Sequence, residues 1–250
     1  MATYAIGDVH GRAKELQSLI SKLNIQSCDH IVFLGDYVDR GPDWFEAMQY
    51  ITELESLCKV TLLWGNHDIL MFDSVKLFKG PEVCFDISKN EKREIWFYNG
   101  GKQTYFRFVR LSGKDKKFVE GFFGKLRADI NLTVNNREYT LCHSLPFDAG
   151  GSLWNAVWAR LSWTGSGEIY CDSDINAALL SEKYGNKTIV HGHTPVFHYI
   201  DSVNSVGAFK YTIGDTAFID IDLAAGSIGK FDRANLCALK LDDMREFYAL

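Results

Sequence analysis

Ile31-Val32-Phe33-Leu34-Gly35-Asp36-Tyr37-Val38-Asp39-Arg40-Gly41, residues 31–41, runs from four apolar residues straight into a polar loop. A short apolar run closed by glycine reads as a buried strand, and the glycine permits the tight turn that follows. The pattern occurs twice more. Residues 3–6 precede Gly7-Asp8-Val9-His10-Gly11, and Val-Thr-Leu-Leu-Trp at 60–64 precedes Gly65-Asn66-His67-Asp68. Between these strands, residues 12–23 carry a helical apolar stripe at Leu16, Leu19, Ile20 and Leu23. Residues 43–57 carry another at Phe45, Met48, Ile51, Leu54 and Leu57, all expected to face inward. Strand, loop and helix in this order predict a parallel sheet with covered faces.

The middle of the chain, roughly 80–128, is rich in Lys, Arg and aromatic residues and reads as helices and loops capping one end of the sheet. Strands follow near 130–134 and 138–142, then a Trp-rich segment at 152–163 and a strand at 188–191. The last third alternates apolar and polar residues, as in Phe218-Ile219-Asp220-Ile221 and across Leu236–Leu241. That alternation predicts a second, more antiparallel sheet.

Bulk properties fit one α/β enzyme domain over 1–250. The chain has 250 residues, is 46% hydrophobic and 24% charged, and its 4 prolines mark no linker. A net charge of −5 without a basic stripe argues against nucleic-acid binding. The 6 cysteines form no C-x-x-C pair, so thiolate zinc sites have no support and a reducing compartment is expected. The N-terminal stretch before the first motif is too short for a signal peptide, and no apolar run reaches membrane-spanning length. A soluble, cytoplasmic protein is the expectation.

The chemistry lies in the three loops. In a parallel sheet, loops at strand C-terminal ends share one edge, where ligands bind. Asp8, His10, Asp36, Asn66 and His67 should therefore converge. His143 follows the run Tyr139–Cys142, and His193 follows the strand at 188–191 within Val190-His191-Gly192-His193-Thr194-Pro195. Five or six oxygen and nitrogen ligands without sulfur suit Mn, Fe or Zn. They are too many for one ordinary zinc site, and a metal pair sharing a carboxylate accounts for them better. An isolated Gly-Asp is ordinarily a turn; three such motifs after three buried strands are not.

These motifs, with His143 and Gly192-His193-Thr194-Pro195, resemble the metallo-dependent phosphoprotein phosphatases and their calcineurin-like relatives. Trp96-Phe97-Tyr98-Asn99-Gly100-Gly101 and Val157-Trp158-Ala159-Arg160 are similar to the bacterial serine/threonine phosphatase branch. The resemblance implies a two-sheet β-sandwich flanked by helices, with the middle segment as a helical and loop cap. It implies that Asp8 and His10 bind one divalent ion, that Asp36 bridges two, and that Asn66, His143 and His193 complete the second. His67 becomes the general acid, oriented and held protonated by Asp39. Arg40, Asn66 and Arg160 bind phosphate. The ions expected are Mn, with Fe or Zn as alternatives. Two ions about 3.5–4 Å apart clamp a phosphate and generate hydroxide for in-line attack. The leading expectation is hydrolysis of phosphate monoesters, above all phosphoserine and phosphothreonine in proteins.

Two departures keep other substrates open. Asp68 stands where serine/threonine phosphatases commonly have Glu and symmetrical dinucleoside tetraphosphatases have Asp, and His143-Ser144-Leu145 departs from the family's His-Ala-Gly. A dinucleoside-tetraphosphate hydrolase, a tyrosine-active or broad phosphatase, and a catalytically inactive metal-binding scaffold are the alternatives. Other phosphatase chemistries lack their residues. No cysteine has an arginine six positions later, no G-x-x-x-x-G-K-[ST] loop occurs, and Asp220-Ile221-Asp222 lies too near the C-terminus for a dehalogenase-type site. His30, His191 and His198 read as structural. Trp154, Trp158 and Trp163 read as groove lining or as packing.

Overall fold

The structure is a computed structural model that describes residues 1–75, 89–163, 169–171, 177–199, 207–213 and 216–250. Residues 80–88 of the expected cap, Cys84, and the side chains of Trp163 and Cys171 lie outside the described residues.

The N-terminal strands β1 (Thr3–Ile6), β2 (His30–Phe33) and β3 (Lys59–Leu62) pair in parallel and alternate with α1 (Ala13–Leu23) and α2 (Trp44–Leu54). On α1 the buried residues are Ala13, Leu16, Leu19, Ile20 and Leu23, one continuous stripe. Each such leucine or isoleucine contributes about 1.5–3 kcal/mol relative to exposure. Asn24 ends the helix in the left-handed conformation, φ 50°, a common helix stop. Helix α2 ends three residues earlier than its apolar stripe suggests. The Cys58 N–H closes a turn on the Leu54 carbonyl, and Leu57 lies 48% exposed on that turn instead of inside.

The third polar motif is not a loop. Asn66-His67-Asp68 forms the first turn of α3 (Asn66–Val75). Helices α4 (Lys89–Trp96), α5 (Lys102–Arg110) and α6 (Gly113–Phe123) follow, the last capped by the Ser112 hydroxyl accepting from the Asp115 N–H. Trp96, Phe108, Val119, Phe122 and Phe123 are buried in the same apolar cluster as α1, α2 and the outer face of the first sheet. The described part of the middle segment thus extends the helical layer.

The second half contains β4 (Asp129–Val134), β5 (Arg137–Cys142), α7 (Phe147–Gly150), α8 (Leu153–Trp158), β6 (Leu161–Trp163), β7 (Ile169–Cys171), α9 (Ala177–Tyr184), β8 (Thr188–His191), β9 (Phe209–Ile213), β10 (Thr216–Asp220), β11 (Cys237–Lys240) and β12 (Arg245–Tyr248). Two five-stranded sheets result, ordered β12-β11-β1-β2-β3 and β4-β5-β8-β10-β9, beside a small β6-β7 ribbon. The first sheet is mixed, because β11 joins antiparallel to β1, with Ile6 opposite Ala238. The stretch Leu236–Leu241 therefore belongs to the first sheet, not the second. Alternation reports a half-buried strand; it does not say which sheet receives it. The second sheet is also mixed, with β5, β8 and β10 parallel at its centre.

Ala5, Val32, Leu34 and Leu63 of the first sheet meet Tyr139, Leu141, Val190 and Ile219 of the second in one apolar layer. A further cluster, including Ile189, Phe218, Leu180 and Tyr184, packs α9 on the second sheet's outer face. The architecture is helices, sheet, sheet, helix. Among the described residues no helix is long and apolar enough to cross a membrane.

Candidate functional site

The C-terminal ends of β1, β2, β3, β5 and β8 gather at one end of the two sheets. Asp8, His10, Asp36, Asp39, Asn66, His67, His143 and His193 meet there, each no more than 5% exposed. Asp36 is the centre. Its Oδ2 lies 3.4 Å from His10 Nε2, and its Oδ1 lies 3.6 Å from His143 Nε2. Asp36 is common to two groups that could hold a metal ion, Asp8–Asp36–His143 and His10–Asp36–His67.

The ring orientations suit metal ligation. The His10 Nδ1–H donates to the Val38 carbonyl at 2.9 Å, and the His143 Nδ1–H donates to the Leu34 carbonyl at 2.9 Å. Ligating histidines characteristically donate their other ring N–H in this way, which fixes the tautomer and aims the Nε2 lone pair inward. His143 Nε2 and His193 Nδ1 each lie 3.0 Å from Asn66 Oδ1. The His143 lone pair facing an amide oxygen brings two acceptors together, an arrangement a cation satisfies. His193 Nε2 is buried without a hydrogen-bond partner among the described residues. The donor set of carboxylate, imidazole and amide oxygen fits a pair of divalent ions sharing Asp36.

Backbone geometry serves the same cluster. His10, Asp36, Asp39, Arg40 and His193 all have positive φ, between 45° and 73°. Each such non-glycine residue costs about 1–2 kcal/mol, and strain of this kind collects at functional sites. Two glycines leave room for the carboxylates. A Cβ on Gly65 would lie 2.1 Å from Asp36 Oδ1, and one on Gly192 would lie 2.2 Å from Asp8 Oδ1.

Asp39, Arg40 and His67 form a second unit beside Asp36. The His67 Nδ1–H donates to Asp39 Oδ2 at 2.7 Å. The exposed Arg40 donates from Nη1 to His10 Nε2 at 2.9 Å and from Nη2 to His67 Nε2 at 3.0 Å. At the start of α3, the His67 backbone N–H donates to Asp36 Oδ1 at 2.9 Å, a favourable place for an anion. Arg160 follows α8, and its charge reaches His67, His143 and His193.

Burial dominates the electrostatics. It raises the Asp8 and Asp36 carboxyls well above their ordinary range, and neighbouring carboxylates push the same way. It lowers His10 and His193 strongly and His143 to about 3. His67 was expected to be held protonated by Asp39. Burial instead outweighs the Asp39 hydrogen bond, and Arg40 adds to the lowering, so the ring lies below its ordinary value. Negative charge beside the ring, such as a substrate phosphate, would raise it.

Three residues make contacts in the site that their sequence motifs did not reveal. The Trp96 indole N–H donates to Asp39 Oδ2 at 2.8 Å. Asp68 accepts the backbone N–H groups of Asp36, Tyr37 and Gly65 at 2.8, 3.0 and 3.0 Å. Asp222, buried two residues past the end of β10, adds negative charge beside Asp8. Polar residues inside apolar runs were the available signal for Asp222. His191 and His30 are engaged elsewhere, His191 with the Gly192 carbonyl and the Tyr211 hydroxyl, His30 with Thr61 Oγ1. Trp154 and Trp158 pack together at 5.0 Å, and Trp158 lies edge-on to His193 at 6.3 Å.

The calcineurin-like phosphoesterase profile matches residues 1–221. The chain belongs to the calcineurin-like phosphoesterases. This family is metal-dependent and dinuclear, as the shared Asp36 suits. Among curated proteins, this phosphoesterase is 32% identical over 111 residues to a symmetrical bis(5'-nucleosyl)-tetraphosphatase of Buchnera aphidicola subsp. Baizongia pistaciae. That match covers 43% of this chain and only 39% of the relative's length. Among solved structures, a metallophosphoesterase from Sphaerobacter thermophilus shares the fold with a TM-score of 0.52 and 17% identity, covering 99% of this chain and 87% of that one. A protein serine/threonine phosphatase from Saccharomyces cerevisiae aligns with a TM-score of 0.55 and 15% identity, covering 99% and 78%.

Proposed function

We propose that this phosphoesterase hydrolyses phosphate monoesters with alkoxide leaving groups, above all phosphoserine and phosphothreonine in proteins. The observation that carries this reading is the hydrogen-bonded unit of Asp39, His67 and Arg40 at the edge of the Asp36 cluster. Asp8, His10, Asp36, Asn66, His143 and His193 would hold two divalent ions, Mn in the first instance. Bound there, such ions polarise phosphoryl oxygens and lower the pKa of a water towards neutrality. Arg40, with planar donors and an exposed position, binds two phosphoryl oxygens, aided by Arg160 and Asn66. The substrate's negative charge offsets the burial of His67 and favours its protonated form. Nε2 then gives its proton to the departing oxygen while Nδ1–H stays on Asp39.

An alkoxide is a poor leaving group, so a built general acid supplies about 10²–10⁴-fold there. A nucleoside diphosphate leaves as a stabilised anion and needs that proton less. This favours the monoester reading. Asp68 is fully buried and holds three backbone N–H groups, tying the turn after β2 to the start of α3. The rival, a symmetrical dinucleoside tetraphosphatase, is favoured by Asp68 and by the similarity to the Buchnera tetraphosphatase.

The deciding experiment compares rates on phosphoserine peptides and diadenosine tetraphosphate with Mn present, each repeated with chelator. The proposal expects the peptides to be turned over faster and both activities to vanish without metal. Faster turnover of the dinucleotide would replace the substrate assignment. Full activity in metal-free protein would sink the mechanism.

A further inference from the structure

We infer that Trp96 is a positioning residue for the proton donor, holding Asp39 so that Asp39 can hold His67. The inference rests on the general-acid reading of His67 and deepens it.

Asp39 Oδ2 accepts two N–H groups, from His67 at 2.7 Å and from the Trp96 indole at 2.8 Å. The other oxygen, Oδ1, is buried and has no partner among the described residues. Among the described residues, all the directional contacts of this carboxylate therefore fall on one oxygen. With the His67 bond alone, the carboxylate could swing about its Cβ–Cγ bond and offer either oxygen to the ring. With the indole N–H on the same oxygen, rotation breaks both bonds at once. The Asp39 backbone sits at φ 70°, a conformation unfavourable for a residue with a side chain.

The indole is itself held from several sides. Trp96 is 0% exposed and packs its ring against Phe97 at 5.8 Å and edge-on to Tyr105 at 6.2 Å. After it the chain turns through Gly100, φ 102°, and Gly101. A Cβ on Gly101 would lie 2.1 Å from the indole nitrogen, so only glycine lets the N–H reach Asp39. The Gly100 Cβ position faces Arg40 Cγ at 3.5 Å. The segment Trp96–Gly101 thus abuts both Asp39 and its neighbour Arg40. Phenylalanine would keep an aromatic ring in this pocket and remove only the donor.

In the reaction, imidazolium Nε2 transfers its proton to the leaving oxygen as the P–O bond breaks, and neutral His67 keeps its Nδ1–H on Asp39. A misaligned ring harms this step most when the leaving group is poor. Phenyl phosphate and 4-nitrophenyl phosphate differ in that property and little else.

The test measures kcat on both esters for the Mn-loaded wild type, Trp96→Phe, Gly101→Ala, His67→Asn and the double variant Trp96→Phe/His67→Asn. The expected result for Trp96→Phe and Gly101→Ala is a phenyl-to-nitrophenyl kcat ratio lowered roughly tenfold, with KM little changed. In the His67→Asn background, Trp96→Phe should change the ratio no further, as expected for groups acting as a unit. Equal loss on both esters, or additive effects in the double variant, would overturn the inference. A ratio sensitive to His67→Asn but insensitive to Trp96→Phe would sink the Trp96 role alone. A ratio insensitive to His67→Asn would remove the acid assignment and this inference together. A metal-free readout stands beside the kinetics. The indole ¹H–¹⁵N resonance absent from Trp96→Phe should be protected from exchange and should shift in Asp39→Asn. An unshifted, unprotected resonance would also overturn the inference.

Discussion

The carboxylate of Asp68 accepts the backbone N–H of Asp36 at 2.8 Å, so a residue of the third motif sets the backbone of the second. Its further bonds to Tyr37 and Gly65 join the turn after β2 to the start of α3. Asp36 sits at φ 52°, and this connection helps to hold it there. Asp68→Ala would leave three buried N–H groups without an acceptor. The expected cost is on the order of 3 kcal/mol, seen as a lower melting temperature and a weaker metal affinity. A melting temperature within a degree of wild type would contradict this connection.

His67→Asn removes the proposed proton donor while leaving the metal set intact. Turnover of alkyl phosphomonoesters should fall about 10²–10⁴-fold, and metal analysis should still find the wild-type content. Loss of metal would place His67 among the ligands, as its proximity to His10 and Asp36 permits.

Gly192→Ala and Gly65→Ala test the room left for the two carboxylates. Each new methyl would collide with Asp8 or Asp36 at little more than 2 Å, and both neighbours are buried. Metal affinity should fall roughly 10–100-fold, the range typical of disturbed ligand support. Calorimetric titration with Mn measures it, and unchanged affinity would mean that the ligands lie elsewhere.

Stability of the metal-free protein should depend on pH with a definite sign. Burial raises Asp8 and Asp36, and raises Asp68 from 3.8 to about 8. The folded state then binds protons more tightly than the unfolded state. The stability from these groups is complete below about pH 4 and is lost as pH rises through the raised values. The lowered histidines act oppositely. Their contribution is complete above about 6.5 and fades on acidification, with His143 reaching about 3. Above pH 6.5 only the carboxyl effect remains, so the melting temperature should fall between pH 6.5 and 8. Added Mn should flatten that slope. A rise over the same window would contradict the carboxyl environments.

Much of this protein was legible residue by residue. Three apolar runs, each closed by a glycine and a carboxylate or amide, located β1 to β3 and the edge where these side chains gather. They did so because strand burial and turn chemistry are local properties. Asp8, His10, Asp36, Asn66, His143 and His193 could be named on the same grounds, together with the family resemblance. What the sequence determined by itself was therefore the set of groups and the strand ends that carry them. Tertiary structure decided the rest. Periodicity could not send β11 to the first sheet, because alternation is the same on either one. Nor could it bring Trp96 onto Asp39, 57 residues away, or make Asp68 the link between two turns. Those contacts form only when separate elements pack. The lowering of the His67 ring has the same origin, since burial outweighs its hydrogen bond to Asp39 and burial is a property of the assembled fold.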